Sequence, residues 1–291
     1  MKRVIEESEL IIRDDGSVFH LNMKPSQLAD RVILVGDPGR VELIASRFDS
    51  VESRTSNREF VSATGSYQGK RITVLSTGIG TDNIDIVMNE LDALVNIDLA
   101  TRTVNDTLRS LTIVRIGTCG AIQPDVPIGS FILSHISVGC DGLMNWYEGR
   151  DSIALQDFEE AFKKFTHWDR HLPDPYFVRG SDKLIELFKD CTVKGMTVSA
   201  SGFYGPQGRV VRQGLAMPNM LEDFERFEHK GYRITNFEME GSALAGMCRK
   251  LGHEGITVCC AIAHRYYKDA NTDYKARVNE LVKLVLDKLT A

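Results

Sequence analysis

The chain of 291 residues has no run approaching the roughly 18 consecutive apolar residues of a membrane span, so no membrane is expected among its partners. It has no lysine- or arginine-rich block and carries a formal net charge of −5, which argues against nucleic acid as a partner. Any anion it binds must be met by a few local cations. Its six cysteines include no CxxC pair, and several lie in apolar runs where a thiol packs as a small hydrophobe, as expected in a reducing, cytoplasmic compartment. The opening MKRVIEESELIIRDDG puts acids directly after a short apolar start and lacks the apolar core of about 7–15 residues that a secretory signal needs. His167 and His171 have the i, i+4 spacing of a zinc pair, but no HExxH or nearby cysteine accompanies them, and no metal site is expected. With no internal repeat, no low-complexity linker and 43% hydrophobic residues, the expectation is one α/β domain around a sizeable core.

What the chain does have is a series of short apolar strands that run into polar turns. Residues 31–36 (RVILVG) read as a buried strand, Asp37-Pro38-Gly39 breaks it, and a helix follows over 40–48 with Val41, Ile44 and Ala45 on one face. Residues 59–66 and 71–76 read as a hairpin around Tyr67-Gln68-Gly69-Lys70, with Arg58 just before it. The second strand enters Gly78-Ile79-Gly80, and the helix beyond has a core-facing stripe of Ile84, Val87, Met88, Leu91, Leu94 and Val95. Asn83 stands where the third glycine of a dinucleotide fingerprint would be, so that motif is incomplete. Further strands are expected at 111–116, 129–139, 192–200, 232–237 and 256–263, and further helices at 182–189, 218–230, 242–251 and from 274. Residues 1–30 read as a polar N-terminal extension, with His20 in a short apolar patch. Residues 140–180 read as an irregular, elaborated surface excursion.

Four places bear chemistry. Glu238 and Glu240 lie between an apolar strand and a helix rich in small residues, where an ionised carboxylate loses hydration worth several kcal/mol unless a cation or hydroxyl donors answer it. One of them holding a hydroxylated ligand is one reading; helix capping and solvent are the other. The strand, glycine turn and helix start at 31–40 can form an anion cradle, strengthened by Arg40, or be an ordinary βα turn. Arg115 sits inside the apolar run 111–116 and is followed by a small-residue turn with Thr118; its planar fork suits phosphate or carboxylate oxygens, and the competing reading is an internal salt bridge to Glu238 or Glu240. The loop at 201–209 offers Phe203, Gln207 and Arg209, a set able to stack on and hydrogen-bond a flat heterocycle, or else a surface loop with incidental aromatics.

Taken together, the motifs Gly36-Asp37-Pro38-Gly39-Arg40-Val41, Ser76-Thr77-Gly78-Ile79-Gly80, Arg115-Ile116-Gly117-Thr118-Cys119-Gly120-Ala121-Ile122-Gln123, Phe203-Tyr204 through Gln207 and Arg209, and Phe237-Glu238-Met239-Glu240 resemble the nucleoside phosphorylase family of the purine and uridine type. The resemblance implies an α/β single domain whose central mixed, partly barrel-like sheet is flanked by helices. It implies phosphorolysis of uridine to uracil and ribose 1-phosphate, with cleavage of deoxyuridine or thymidine left open. Gly36, Arg40, Arg115 and Thr118 would hold phosphate, with Arg58 reaching into a neighbouring subunit's site. Met239 and Glu240 would hold the ribose, and a neighbour's His20 would meet its 5′ hydroxyl. Phe203, Gln207, Arg209 and Arg265 would bind uracil, with Arg115, Glu240, Arg209 and Arg265 as the catalytic set. Purine-cleaving members carry an aspartate after the strand at 256–263, whereas this chain has His264-Arg265. No cofactor or catalytic metal is implied beyond phosphate as co-substrate, with a monovalent cation near Glu59 at a subunit interface left open, in a homodimer or a homohexamer. Departures at Gly205-Pro206, Cys119 and His264 bear on the range of base and sugar. A nucleosidase using water, or a nucleoside-binding regulator without turnover, remain the alternatives.

Overall fold

The apolar runs form the strands of one mixed sheet that closes on itself at one end. The computed structural model describes residues 2–265, 267–271 and 273–291. In chain order, β1 (Arg31–Val35) leads to α1 (Gly39–Ala45), then β2 (Ser50–Asn57), β3 (Phe60–Tyr67), β4 (Lys70–Ser76) and α2 (Thr81–Asn96). The short β5 (Ile97–Asp98) and β6 (Thr103–Val104) precede β7 (Thr112–Ala121) and β8 (Phe131–Gly139). Then come α3 (Gln156–Thr166), β9 (Tyr176–Arg179), α4 (Asp182–Phe188), β10 (Val193–Ser199), α5 (Met220–Arg226) and β11 (Glu228–His229). The chain finishes with β12 (Tyr232–Glu238), α6 (Gly241–Leu251), β13 (Glu254–His264), β14 (Asp269–Ala270) and α7 (Lys275–Thr290).

The main sheet runs β11-β12-β10-β8-β13-β7-β1-β4-β3-β2, and β12 also pairs with β7. That extra pairing, Asn236 with Ala121 and Phe237 with Gly120, closes β12, β10, β8, β13 and β7 into a barrel-like ring. β7 is the hinge of the design, since it pairs in parallel with β1 on one side and β13 on the other before turning its C-terminal end to β12. One apolar layer lies under α2 and α6, including Ile84, Leu91, Leu244 and Met247. A second lies under α1, α4 and α7, including Ile44, Leu184, Leu281 and Val285. Each fully buried aliphatic side chain contributes about 1.5–3 kcal/mol, which is why these stripes, rather than helix propensity, hold the helices in place.

The structure departs from the sequence reading in four ways. The strand expected at 111–116 continues to Ala121. A Cβ at Gly117 would overlap Arg115 Nη1 and come within 2.8 Å of Cys259 Sγ, so the glycine serves close packing inside a strand rather than a turn. The helix expected over 218–230 covers only Met220–Arg226 and gives way to β11. β2 was not expected; its sequence SVESRTSN is polar and it forms the exposed edge of the sheet. Finally, the 140–180 excursion contains α3 and β9, and β9 pairs antiparallel with β8. Its Tyr176 fits where a Cβ on Gly139 would collide with the ring, and its Met144 sits 2.6 Å from where a Cβ on Gly246 of α6 would be. Gly139 of β8 and Gly246 of α6 are therefore the sockets for this segment. Among the described residues, no helix is long and apolar enough to cross a membrane.

Candidate active site

The C-terminal end of β12 carries Glu238 in the strand, and α6 begins at Gly241 with Glu240 at its N-cap position. The first turn of a helix has N–H groups without intrahelical partners, and here Glu238 answers them. It accepts from the Glu240 N–H at 2.8 Å and the Gly241 N–H at 2.8 and 2.9 Å, and the Ser199 hydroxyl of β10 donates to it as well. A side chain at 241 would press on Glu238 Oε1 at 3.2 Å and on Thr257 Oγ1 at 3.1 Å, so glycine is what lets the helix start this close to the strand.

Arg115 projects from β7 into the same place and is buried. Its Nη1 donates to Glu238 Oε2 at 3.3 Å and its Nη2 to Glu240 Oε2, while its Nε is buried without a protein partner. Glu240 also accepts the Gly80 N–H at 2.8 Å. Gly80 (φ +102°) and Gly78 (φ +70°) hold backbone conformations that favour glycine, and a Cβ on Gly78 would lie 2.6 Å from Asn83 Nδ2. The incomplete glycine fingerprint thus works as a backbone donor to a carboxylate. Burial drives the Glu238 carboxyl up to about 7, with Arg115 pulling against it and the Glu240 charge adding to the rise.

These groups line a cavity of about 570 Å³. Its lining includes Gly36 from the β1–α1 turn, Arg40 from the first turn of α1, and Arg115 and Thr118 from β7. A Cβ built on Gly36 would be 3.8 Å from Arg115 Nη2, which measures how near the turn and the guanidinium come. Met239, Glu240 and Cys119 line it as well. So do Phe203, Gln207 and Arg209, with Ile262 and Ala263 of β13. Arg209 lies 3.7 Å over the Phe203 ring and donates to Gln207 Oε1 at 2.7 Å and to the Phe203 carbonyl at 2.5 Å. Gln207 is buried, so the amide is held rather than free on a loop. Burial and the nearby Arg265 charge lower the Arg209 guanidinium to about 10.

Of the twelve expected site residues, nine line this one cavity and Arg265 stands beside it. Arg265 donates through Nη2 to the Gln207 carbonyl at 3.0 Å and lines an adjoining cavity. His20 and Arg58 lie outside this chain's cavity. The His20 imidazole contacts Glu90 of α2 through Nδ1 at 2.6 Å, and Glu90 also accepts the backbone N–H groups of His20 and Leu21. Arg58 is an exposed residue with φ 55° in the tight turn between β2 and β3. The internal ion pair that competed with the anion reading of Arg115 is present, and the cavity lies directly against it. Two further groups were not foreseen from sequence: the Ser199 hydroxyl, and the Gly80 N–H, whose only signal was the glycine spacing. Among the described residues, no group of three or more His, Cys, Asp or Glu is arranged to hold a metal ion.

A family model described as the phosphorylase superfamily matches residues 30–290. The chain is 32% identical over 259 residues to a uridine phosphorylase of Haemophilus influenzae, covering 86% of this chain and 87% of that one. It is 29% identical over 273 residues to a purine nucleoside phosphorylase of the DeoD type from Geobacillus kaustophilus, covering 92% and 96%. Among solved structures, a Trypanosoma brucei nucleoside phosphorylase described as showing uridine phosphorylase activity superposes with a TM-score of 0.87 at 30% identity, covering 96% of this chain and 99% of that one.

Proposed function

The chain belongs to the phosphorylase superfamily, and from that premise we propose that it is a pentosyltransferase that cleaves uridine with inorganic phosphate to give uracil and ribose 1-phosphate. The observation that carries the reading is that one cavity is lined by three sets of groups: Gly36, Arg40, Arg115 and Thr118; Met239 and Glu240; and Phe203, Gln207 and Arg209. Phosphate, sugar and base ask for these three sets, and Arg115 touches Glu240 directly, as phosphate must lie against the sugar.

In the proposed reaction the phosphate oxygen forms a bond to C1′ while the bond from C1′ to the base nitrogen breaks. The sugar gains oxocarbenium character and the base leaves with the electron pair. The protein's part is placement and field rather than covalent chemistry. Arg115 and Arg40 hold the nucleophile, with the Thr118 hydroxyl and the Gly36 backbone beside them. Glu240 accepts from the sugar hydroxyls, and its charge offsets the positive charge growing on the ring. Gln207 and Arg209 receive the base, and Arg265, bonded to the Gln207 carbonyl, adds positive charge where the departing uracil becomes an anion. A uracil site also fits His264-Arg265 at the C-terminal end of β13, since neither side chain is the carboxylic acid that would protonate a purine ring. Arg58 and His20 are assigned to a neighbouring subunit's site, which makes a homodimer the minimal unit, with a homohexamer, an interfacial monovalent cation near Glu59 and a cytoplasmic setting as further parts of the proposal.

The test is to follow uracil and ribose 1-phosphate from uridine with and without phosphate. Phosphate-dependent release of both products is expected. Release of uracil without phosphate would replace this reading with a hydrolase, and binding without turnover would replace it with a regulator. Cleavage of inosine at a rate like that of uridine would overturn the assignment of the base.

A further inference from the structure

A second cavity of about 770 Å³ adjoins the first and shares Phe203, Arg209, Ile262 and Ala263 with it. Its walls come from the base loop, the C-terminal end of β13, β14 and Tyr274 just before α7. Its size lies within the ~300–1,000 Å³ typical of small-molecule sites. The charge on its walls is one-sided. Arg209, Arg265 and Lys268 line it, and Asp269, the one acid among the described lining residues, already accepts the Ala270 N–H at 2.8 Å.

The two arginines are half-buried and close enough for the charge of Arg265 to depress Arg209. Among the described residues neither forms an ion pair: Arg209 donates to the Phe203 carbonyl and the Gln207 amide oxygen, and Arg265 to the Gln207 carbonyl. Arg265 Nε is buried without a partner, and the stem of this side chain lies against β7, 3.2 Å from where a Cβ of Gly120 would be. Guanidinium groups out of water are ordinarily met by carboxylate or phosphate oxygens, most favourably in a two-point contact. Neutral uracil needs hydrogen-bond donors at its carbonyls but offers no charge to answer this set. The carboxylates of the first cavity, Glu238 and Glu240, are turned to Arg115 instead.

We infer that the base end of the site continues into the second cavity and binds pyrimidines that carry a carboxylate on the ring, with Arg265 and Arg209 gripping the acid and Lys268 at its rim. The inference rests on the reading of the first cavity as a nucleoside site, because it needs the ring seated against Phe203 and Gln207.

Binding of free bases measured by calorimetry in phosphate buffer tests it without requiring turnover. The probes are uracil, uracil-5-carboxylate, uracil-6-carboxylate and the two matching neutral carboxamides. At least one carboxylate is expected to bind ten-fold or more tightly than its own carboxamide, and Arg265→Met is expected to bring that ratio to within about two-fold, with Lys268→Gln lowering it in part. Carboxamides that bind as well as both carboxylates would overturn the inference, and so would a preference that survives Arg265→Met, since the acid would then be held elsewhere. Uridine phosphorolysis with no carboxylate preference would remove this inference and leave the proposed reaction standing. A carboxylate preference in a protein that does not turn uridine over would do the reverse.

Discussion

Replacing Arg115 with methionine keeps the aliphatic stem and removes the one cation that, among the described residues, faces two buried carboxylates. Breaking a buried pair by deleting one partner costs about 3–5 kcal/mol, a large share of the roughly 5–15 kcal/mol of a typical domain. Part of that loss is avoided when a stranded carboxylate takes up a proton, and Glu238 already binds its proton near pH 7. The penalty should therefore be larger at pH 8 than at pH 6. Glu238→Gln supplies the other half of the cycle, because an amide oxygen can still accept the Gly241 N–H at about the same place. Denaturant unfolding of the parent, the two single variants and the double variant gives the coupling directly. At pH 8 the double variant should be more stable than Arg115→Met by roughly 2 kcal/mol, within the 0.5–3 kcal/mol seen for groups in contact. At pH 6 the gain should shrink. Phosphate saturation should be weakened by two orders of magnitude or more in both variants that lack Arg115, whatever their stability. Effects that add to within about 0.5 kcal/mol at both pH values would refute the argument, since Arg115 and Glu238 would then not share an interaction.

Gly117→Ala should act like a mild form of the same change, because its Cβ would overlap Arg115 Nη1 and crowd Cys259 Sγ; a phosphate KM raised at least ten-fold with a smaller change in kcat is expected in steady-state kinetics, and an unchanged KM would contradict the packing. Gly139→Ala should unseat Tyr176, lowering the unfolding free energy by about 2–3 kcal/mol, as overpacking in a core does. For Glu238 the folded value is raised above the ordinary 4.5, so its contribution to stability is full below about pH 4.5 and is lost as pH rises through 7. Unfolding free energies of the parent should therefore carry a component that falls on the order of 2–3 kcal/mol between pH 4.5 and 8, and Glu238→Gln should remove it.

The parts of the site legible in the sequence were those where one residue type contradicts its surroundings. An arginine inside TIVRIG, two glutamates between an apolar strand and a small-residue helix, and a glycine turn followed by Arg40 each violate the local pattern, and burial makes such violations expensive. The elements that escaped reading obey weaker patterns. β2 is polar because it is an edge strand facing solvent, which erases the alternation that would have marked it. The Phe158 and Phe162 pair of α3 has helical spacing, but the surrounding prolines, histidines and tryptophan of 140–180 hid a segment that in fact pairs with β8 and buries Tyr176 and Phe177. The boundary error at 117 has a different origin. A glycine in an apolar run predicts the end of a strand, whereas here Gly117 thins the strand so that a guanidinium and a thiol can lie across it. Composition does not distinguish a glycine that bends the chain from one that makes room; only the neighbour across the sheet does.

The two readings of Arg115 that the sequence left open, an internal ion pair and an anion site, are compatible because of how Glu240 is held. The carboxylate that would face the sugar accepts from Arg115 Nη2 and from the Gly80 N–H. A sugar hydroxyl that approaches Glu240 competes with Arg115 for its oxygens, and a phosphate that approaches Arg115 competes with Glu240 for its N–H groups. On the proposed function each ligand would thus weaken the contact that opposes the other. Glu238 does not take part in this exchange, since it is fixed by the Ser199 hydroxyl and by the N–H groups of Glu240 and Gly241. On the proposed function it would hold the guanidinium through Nη1 while the Glu240 contact is exchanged. A single acid would have to serve as both anchor and ligand site. The pair Glu238 and Glu240, two residues apart across the strand-to-helix junction, separates those tasks, which is the physical reason for finding two carboxylates where burial would tolerate one more easily.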